Sequence, residues 1–210
     1  MTTYHKIETL YERDTEGSKK LIQGIFRNEA VEFLQDMPWQ FTEKIDGTNI
    51  RIMWDGHKIT YGGRTERANI PAHLMNKLIE LFGNDETEQL FEQIFGEKEV
   101  ILFGEGYGVK IQGCGGLYRS DVSFILFDVM INGNYQPREM VETAAKQFGL
   151  EIVPIIFEGT LEEGVAYVKT KPMSTIGKAP MEGLVARPKV ELQDRCGNRL
   201  IVKIKVRDFT

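Results

Sequence analysis

Long hydrophobic runs are missing from this 210-residue sequence. Its longest apolar stretches, 124–127 and 152–157, are far shorter than the roughly 20 residues that a membrane-spanning helix requires. No apolar run follows the first methionine, so we expect no secretory signal. The pattern excludes the membrane-spanning class and predicts a protein with no membrane partner.

Cysteine is also scarce. Cys114 and Cys196 could form at most one disulfide, and neither lies in the Cys-x-x-Cys or Cys/His spacing of a metal site. His5, His57 and His73 show no ligand-like spacing either. A disulfide-stapled fold is therefore excluded, and a reducing cytoplasm is the expected compartment.

Positive charge is not in excess over the whole chain. Lys and Arg number 26 against 31 Asp and Glu, a formal net charge of −5, which excludes a uniformly basic protein that coats nucleic acid. From residue 187 to the end there are seven bases against three acids, a local basic patch. The candidates there for contacts to an RNA backbone are Arg187, Lys189, Arg195 and Arg199, with ordinary surface solvation as the equal alternative.

The composition supports a packed core, since 41% of the residues are apolar and 10% are aromatic. There is no repeat period, no Pro- or Ser-rich linker and no low-complexity tract. We therefore predict one continuous domain over residues 1–210.

Hydrophobic periodicity predicts a mixture of strands and helices. Strands are expected over 39–44 and 48–54, then an Asp55-Gly56 turn and a strand over 58–61, which together suggest a hairpin. Two helices are expected after Pro71, a third between Pro137 and Gly149, and a fourth over 161–169. The other predicted strands are 99–103, 122–131, 152–156, 183–187, 190–193 and 199–206.

The segment 43–49, with the sequence Glu-Lys-Ile-Asp-Gly-Thr-Asn, contains the candidate nucleophile Lys44. This lysine lies between two predicted strands, and Gly47 allows the backbone to pass close to a ligand. Taken alone, Lys-x-Asp-Gly also fits a solvated lysine on an exposed hairpin. Further motifs must decide between the two interpretations.

Five further motifs follow in order along the chain. They are Gly-Gly-Arg-Thr at 62–65, Phe-Gly-Glu-Gly-Tyr-Gly at 103–108, Phe-Ile-Leu-Phe-Asp-Val at 124–129, Glu-Gly-Leu-Val-Ala-Arg at 182–187 and Val-Lys-Ile-Lys at 202–205. With the segment around Lys44, this series resembles the six ordered motifs of the covalent nucleotidyltransferases. These enzymes are the DNA ligases, the RNA ligases and the messenger-RNA capping enzymes, and the resemblance runs from about residue 38 to 206.

Position 49 separates the branches of this superfamily. DNA ligases and capping enzymes typically carry Arg there, whereas Thr48-Asn49 resembles ATP-dependent RNA ligases, particularly the nick-sealing phage type and related small bacterial and phage enzymes. The segment 4–14 is also similar to those sequences. The phage type has His where this chain has Asp46, which leaves the subgroup open.

The resemblance implies an α+β fold of two antiparallel sheets with flanking helices, an ATP-grasp-like nucleotidyltransferase domain with ATP in the groove between the sheets. The chain ends five residues after Lys205, so we expect no OB-fold and no C-terminal helical domain. A partner domain or protein could take the place of those parts.

The implied activity is that of an ATP-dependent polynucleotide ligase that joins RNA 3′-hydroxyl and 5′-phosphate ends through a covalent lysyl-AMP intermediate. Its cofactors would be ATP and Mg²⁺ or Mn²⁺, and its partner would be RNA. Two alternatives stay open: a ligase for DNA or RNA/DNA hybrid nicks, and a non-catalytic RNA-binding module that retains the fold. A GTP-using capping enzyme is disfavoured by Asn49.

The resemblance also implies a role for each motif residue. Lys44 would take AMP, Glu105 would bind ribose hydroxyls or a metal-bound water, and Glu182 would hold the divalent metal, with Glu105 as a second metal candidate. Asn49 and Arg64 would contact phosphates or the RNA end. Glu43 is assigned to the nucleotide site with them.

The resemblance further implies that Phe127 stacks on adenine and that Lys203 and Lys205 clamp the α-phosphate. Strand alternation would turn Asp128 to the face opposite Phe127, and it would put Lys203 and Lys205, two residues apart, on one face.

The chemistry requires a positive environment for the lysine. An amine attacks phosphorus only in its neutral form, and an unperturbed lysine with a pKa of about 10.4 is charged at pH 7. A positive charge about 4 Å away, at an effective dielectric constant near 20, contributes about 4 kcal/mol toward the neutral form. We therefore expect Lys44 to lie close to Lys203 and Lys205, to a metal, or to both.

Overall fold

The computed structural model describes residues 2–209, which form two compact units. The first unit consists of residues 2–5 and 46–153, and the second of residues 6–45 and 154–209. Each unit has its own sheet and its own hydrophobic core. One domain over the whole chain stays a prediction.

The elements are numbered in chain order. The strands are β1 (Glu8–Thr9), β2 (Tyr11–Arg13), β3 (Leu21–Phe26), β4 (Trp39–Lys44), β5 (Thr48–Trp54), β6 (Ile59–Gly63), β7 (Val100–Gly108), β8 (Val122–Ile131), β9 (Asn134–Tyr135), β10 (Glu151–Ile152), β11 (Ile155–Gly159), β12 (Gly183–Pro188) and β13 (Val202–Lys205). The helices are α1 (Glu29–Phe33), α2 (Ala72–Phe82), α3 (Asp85–Phe95), α4 (Gly115–Tyr118), α5 (Arg138–Phe148) and α6 (Leu161–Lys169), followed by a 3₁₀ turn, Val206–Asp208.

The sheet of the first unit has the order β10-β8-β7-β5-β6, with β9 paired to β8. All its pairs are antiparallel except β10 with β8. The predicted hairpin turn joins β5 to β6, and the Asp55 carboxylate accepts from the backbone N–H groups of His57 and Lys58. Gly56 has φ 97°, a conformation that favours glycine. The Asp55-Gly56 prediction is confirmed.

Helices α2, α3 and α5 confirm three of the helix predictions. Leu74, Leu78 and Phe82, spaced four residues apart on α2, are buried in the first core. They pack there with alternate residues of the sheet, including Ile50 and Ile52 of β5. The opposite face of β5 carries Asn49 and Arg51.

The sheet of the second unit has the order β1-β13-β12-β4-β11 and is antiparallel except for β1 with β13. Its core includes Trp39 and Phe41 of β4. Helix α6 covers the predicted range and begins with a capping box between Thr160 and Glu163. The α+β class is confirmed, with two parallel edge pairs and a separate β2–β3 sheet added to the predicted antiparallel sheets.

The structure corrects the hairpin interpretation at its first strand. Strand β4 does not pair with β5: it lies between β12 and β11 in the second unit, whereas β5 pairs with β6 and β7 in the first. The predicted strand 152–156 is divided in the same way, into β10 of the first unit and β11 of the second. An alternating pattern predicts a strand and not its neighbour.

Other local predictions also change. Residues 190–193 form no strand but one isolated bridge, between Gln193 and Arg199. The turn within it is closed by the Asp194 carboxylate, which accepts from the backbone N–H groups of Cys196 and Asn198. Strand β3 was not predicted, since four of its six residues are exposed and show no apolar alternation. None of the helices between residues 2 and 209 has the length and hydrophobicity that a bilayer crossing demands.

Candidate active site

Lys44 lies at the end of β4 in the second unit. Its Nζ donates to Glu182 Oε2 at 2.7 Å, and its side chain is 24% exposed. The structure thus places the predicted nucleophile against a predicted metal ligand and within reach of solvent.

Glu182 immediately precedes β12, which lies between β4 and β13. Gly183, the first residue of β12, pairs with Lys44 on one side and with Lys205 on the other. Lys205 Nζ donates to the second carboxylate oxygen of Glu182 at 2.5 Å. One carboxylate therefore bridges two lysines that approach it from neighbouring strands.

Gly183 is required by the close approach of β12 to β13. A side chain at this position would collide with the carbonyl oxygen of Ile204, and the backbone has φ 157°. The Glu-Gly motif thus has a physical reason: glycine allows β12 to bring Glu182 between the two lysines.

Lys203 pairs with Val185, one row along the same sheet. Burial lowers the pKa of Lys203, and the positive charges of Lys205 and Lys44 lower it further. The expected grouping of Lys44, Lys203 and Lys205 is therefore present in the second unit. Glu182 balances two of these charges, which the sequence argument did not anticipate.

The carboxyl group of Glu182 is subject to opposing effects. Burial raises its pKa, but the charges and hydrogen bonds of Lys44 and Lys205 outweigh burial, and the net pKa lies below the ordinary 4.5. Glu182 is therefore ionised at neutral pH.

Glu43 lies beside Lys44 in sequence, and it is only 1% exposed. Its Oε2 accepts from the backbone N–H of Thr175 at 2.9 Å and from the Thr175 hydroxyl at 2.6 Å. Its Oε1 is buried without a hydrogen-bond partner among the described residues. Thr175 also lines a cavity of about 470 Å³ with Pro154, Ile155, Ile156, Phe157 and Tyr167. No feature of the sequence indicated Thr175.

The first unit holds Asn49, Glu105 and Phe127 on three adjacent strands. Asn49 of β5 pairs with Glu105 of β7, and Glu105 pairs with Ile125 of β8. The Asn49 Oδ1 is buried without a partner among residues 2–209. An amide and a carboxylate therefore lie side by side on the face opposite α2.

Phe127 lies at an irregularity of β8, and the predicted alternation with Asp128 is wrong. Phe103 pairs with Asp128 and Gly104 with Leu126, so β8 has one extra residue at Phe127. Tyr4 contacts both side chains: its hydroxyl donates to Asp128 at 2.6 Å, and its ring centroid lies 5.0 Å from that of Phe127. The two side chains therefore share a face.

Arg51 was not singled out from the sequence, yet its side chain is only 1% exposed. It donates to the carbonyl of Gly63 at 2.8 Å and to Glu66 at 3.2 Å. A Cβ at Gly62 would come within 2.9 Å of its guanidinium. Arg51 thus holds the end of β6, next to which Arg64 lies exposed. Its signal is an arginine between Ile50 and Ile52, in the apolar part of β5.

The turn that follows Lys44 in sequence also has partners in the first unit. The Gln112 side-chain amide donates to the Gly47 carbonyl at 3.0 Å, and the backbone N–H of Asp46 donates to the Tyr118 hydroxyl at 3.4 Å. A Cβ at Gly47 would lie 2.7 Å from Glu105 Cγ. Gly47 is therefore the residue that this turn requires.

The candidate RNA-contacting residues near the C-terminus are largely engaged within the second unit. Lys189 lies 2.8 Å from Glu158, and the Arg199 side chain, 3% exposed, pairs with Glu191. Arg187 is buried, whereas Arg195 is exposed. Arg199 could contact a phosphate only after leaving Glu191, so this part of the prediction loses its support.

Of the two proposed metal ligands, Glu105 lies in the first unit and Glu182 in the second. No group of three or more His, Cys, Asp or Glu that could hold a metal is found among residues 2–209. Glu182 alone offers two hard oxygen donors and is ionised at neutral pH. This fits a divalent cation held by one carboxylate together with waters and nucleotide phosphates, as Mg²⁺ commonly is.

Residues 37–205 match the family model described as RNA ligase. Similar solved structures include mutants of the Naegleria gruberi RNA ligase. One with AMP and Mn has 19% sequence identity and a TM-score of 0.63, and covers 95% of this chain and 60% of that chain. A mutant with ATP and Mn has 22% identity and a TM-score of 0.62, and covers 95% and 59%. The likeness shows a shared fold, and this chain spans about 60% of the length of those proteins. No curated protein matches the sequence.

Proposed function

This chain belongs to the RNA ligase family, and we propose that it joins RNA 3′-hydroxyl and 5′-phosphate ends with ATP, through AMP bound covalently to Lys44. In the first step the neutral Lys44 amine forms an N–P bond to the α-phosphorus, and pyrophosphate leaves. AMP then passes to a 5′-phosphate. A 3′-hydroxyl forms the new phosphodiester, and AMP is released.

The observation that carries the proposal is the arrangement Lys44–Glu182–Lys205 across three adjacent strands. Lys205 and Lys203 supply positive charge in the same sheet as the nucleophile. Phosphoryl transfer is accelerated mainly by positioning and by neutralisation of charge on the phosphate oxygens. A binding module would need the charge but not a lysine aligned with it.

Glu182 would act differently before and after the nucleotide binds. In the structure it hydrogen-bonds Lys44 and Lys205 and balances their charges. Its lowered pKa makes it a poor base, so the Lys44 proton would leave to solvent through the exposed part of the side chain. A bound Mg²⁺ or Mn²⁺ would supply positive charge that favours the neutral amine and offsets phosphate charge. Glu182 would hold that cation.

In the first unit we propose that Phe127 stacks on adenine and that Glu105 binds the ribose hydroxyls. Asn49, with a buried acceptor lacking a partner, and the exposed Arg64 would contact phosphates or the RNA end. Guanidinium groups suit phosphate binding because they donate two parallel hydrogen bonds. In the second unit, we propose that Glu43 also belongs to the nucleotide site. Thr175 binds its Oε2, so that its buried Oε1 can accept a hydrogen bond from the nucleotide.

We also propose a cytoplasmic location. It is supported by Cys114 and Cys196, which are both exposed free thiols in the described structure.

Self-adenylation tests the proposal directly. The purified chain would be incubated with ATP labelled at the α-phosphate and with Mg²⁺ or Mn²⁺, and its mass would be measured. We expect wild type and the control Lys58→Ala to gain one AMP, and Lys44→Ala to gain none. A labelled Lys44→Ala protein, or an unlabelled wild type, would contradict the assignment.

The substrate is tested separately on nicked duplexes that differ only in the sugar at the 3′ end of the nick. Faster sealing of the ribose end supports an RNA ligase. Equal or faster sealing of the deoxyribose end would instead favour the alternative of a DNA or hybrid nick ligase.

A further inference from the structure

Residues 2–5 form a short segment, called here the N-terminal strap, that lies against the sheet of the first unit. Arg51 donates to the carbonyl of Thr2 at 3.1 Å, and Tyr4 donates to Asp128 at 2.6 Å. His5 Nδ1 lies 3.2 Å from the Tyr135 hydroxyl. Three separate polar contacts therefore hold four residues in place.

The hydrogen bond between Tyr4 and Asp128 is the most buried of the three, since Tyr4 is 7% exposed and Asp128 is 1% exposed. Its ring centroid lies 5.0 Å from that of Phe103 and 5.0 Å from that of Phe127. The Phe127 contact is edge-to-face with an interplanar angle of 70°, which is a favoured aromatic geometry. Tyr4 thus lies on the sheet face that carries Asn49 and Glu105.

Phe127 needs such support because of its position in β8. It is the extra residue of the irregularity and has no register partner on β7. Its side chain is partly exposed, so it keeps surface for a ligand. The direction of the Phe127 ring must therefore be set by packing against a neighbouring side chain. That neighbour is the ring of Tyr4, whose hydroxyl is held by its hydrogen bond to Asp128.

We infer that Tyr4 is a positioning residue that orients Phe127 for stacking on a purine base, so that the N-terminal strap is part of the nucleobase site. This rests on the proposed function. Tyr4 acts through Phe127, and its effect falls on affinity for the base. The affinity for a ligand without a base should not change.

The experiment compares ATP and inorganic pyrophosphate as ligands, by calorimetry at equilibrium with Lys44→Ala protein, which cannot react. In that background, Tyr4→Leu removes the ring and should weaken ATP binding about five- to tenfold. Tyr4→Phe keeps the ring but loses the hydroxyl, and should weaken it about two- to threefold. Pyrophosphate affinity should stay within about twofold of the Lys44→Ala parent in both.

Tyr61→Leu is the matched control. Tyr61 is a partly buried tyrosine of β6 in the same unit, and among the described residues it has no ring contact or hydroxyl hydrogen bond. The Tyr61→Leu variant should bind ATP and pyrophosphate with the same affinities as the Lys44→Ala parent. Thermal unfolding followed by circular dichroism identifies a temperature at which every variant is folded. If Tyr4→Leu does not fold, the comparison is made with Tyr4→Phe.

The outcomes separate the two proposals. Unchanged ATP affinity in both Tyr4 variants, or an equal loss of pyrophosphate affinity, would overturn the positioning role. If the wild-type protein binds ATP but forms no AMP adduct, the ligase proposal is overturned. The comparison of the Tyr4 variants would still decide whether Tyr4 positions Phe127. A parent protein that binds no ATP would overturn both.

Discussion

The Nζ of Lys44 lies 2.7 Å from one carboxylate oxygen of Glu182, whose other oxygen accepts from Lys205. The two lysines lie on β4 and β13, on either side of β12, and a carboxylate between two like charges offsets their repulsion. Glu182 therefore holds the proposed nucleophile and a lysine proposed to bind phosphate close to one another. Because Glu182 stabilises this charge pattern, its own titration should be visible in the stability of the protein.

We predict that the protein loses stability in acid because Glu182 becomes protonated. Its pKa is lower in the folded protein than the ordinary 4.5, so the unfolded chain binds its proton more readily. The stabilisation is therefore present above about pH 4.5 and is lost as the pH falls through the folded pKa. The free energy of unfolding, measured with urea from about pH 7 to 3, should fall more steeply for wild type than for Glu182→Gln. Glu92→Gln, at an exposed position of α3, should follow wild type; parallel curves for wild type and Glu182→Gln would disprove the coupling.

Lys203 should react with amine reagents at a lower pH than an exposed lysine. Burial, followed by the charges of Lys205 and Lys44, holds the pKa of Lys203 below 10.5, so its neutral fraction is larger at mildly alkaline pH. Acetylation at each lysine would be measured by mass spectrometry as a function of pH. The quantity compared is the pH at the midpoint of each curve, and not the rate of acetylation. Lys205→Met should move the Lys203 midpoint upward because it removes a repelling charge. A midpoint equal to that of Lys58 in wild type would refute the shift.

Gly183→Ala should destabilise the second unit. The added Cβ would collide with the Ile204 carbonyl, so β12 and β13 could not keep their register. We expect a loss of about 2 kcal/mol or more in the free energy of unfolding, as for other overpacked positions. Gly113→Ala is the control, since nothing lies within 4 Å of its added Cβ. Equal urea midpoints for the two variants would show that the sheet accommodates the methyl group.

Gln112→Ala should loosen the turn at Gly47. Its hydrogen bond to the Gly47 carbonyl is exposed and contributes about 0.5–1.5 kcal/mol, so amide exchange over residues 45–48 should rise by about three- to tenfold. Gln136→Ala removes the same kind of bond, to the Asn134 carbonyl, and should leave this peptide unchanged. Hydrogen–deuterium exchange measures both variants. Unchanged exchange in Gln112→Ala would mean that backbone packing alone holds the turn.

Local signals in the sequence were enough for elements that depend on near neighbours. The Asp55-Gly56 turn determined the β5–β6 hairpin, and leucines four residues apart determined the buried face of α2. The order of the six motifs identified the family, and the two-residue spacing of Lys203 and Lys205 correctly predicted neighbouring positive charges.

Only the tertiary structure decided which strands lie side by side. An alternation of apolar and polar residues specifies which side chains share a face of a strand, but any strand with an apolar face can lie beside it. The pattern therefore could not pair β4 with β12, and it could not divide residues 152–156 between two sheets. One extra residue at Phe127 reversed the expected direction of Asp128, and an irregularity of that kind has no periodic signal. The contacts of Tyr4, Thr175 and Arg51 join residues distant in the chain, and such contacts depend on which strands lie side by side, which no local pattern specifies.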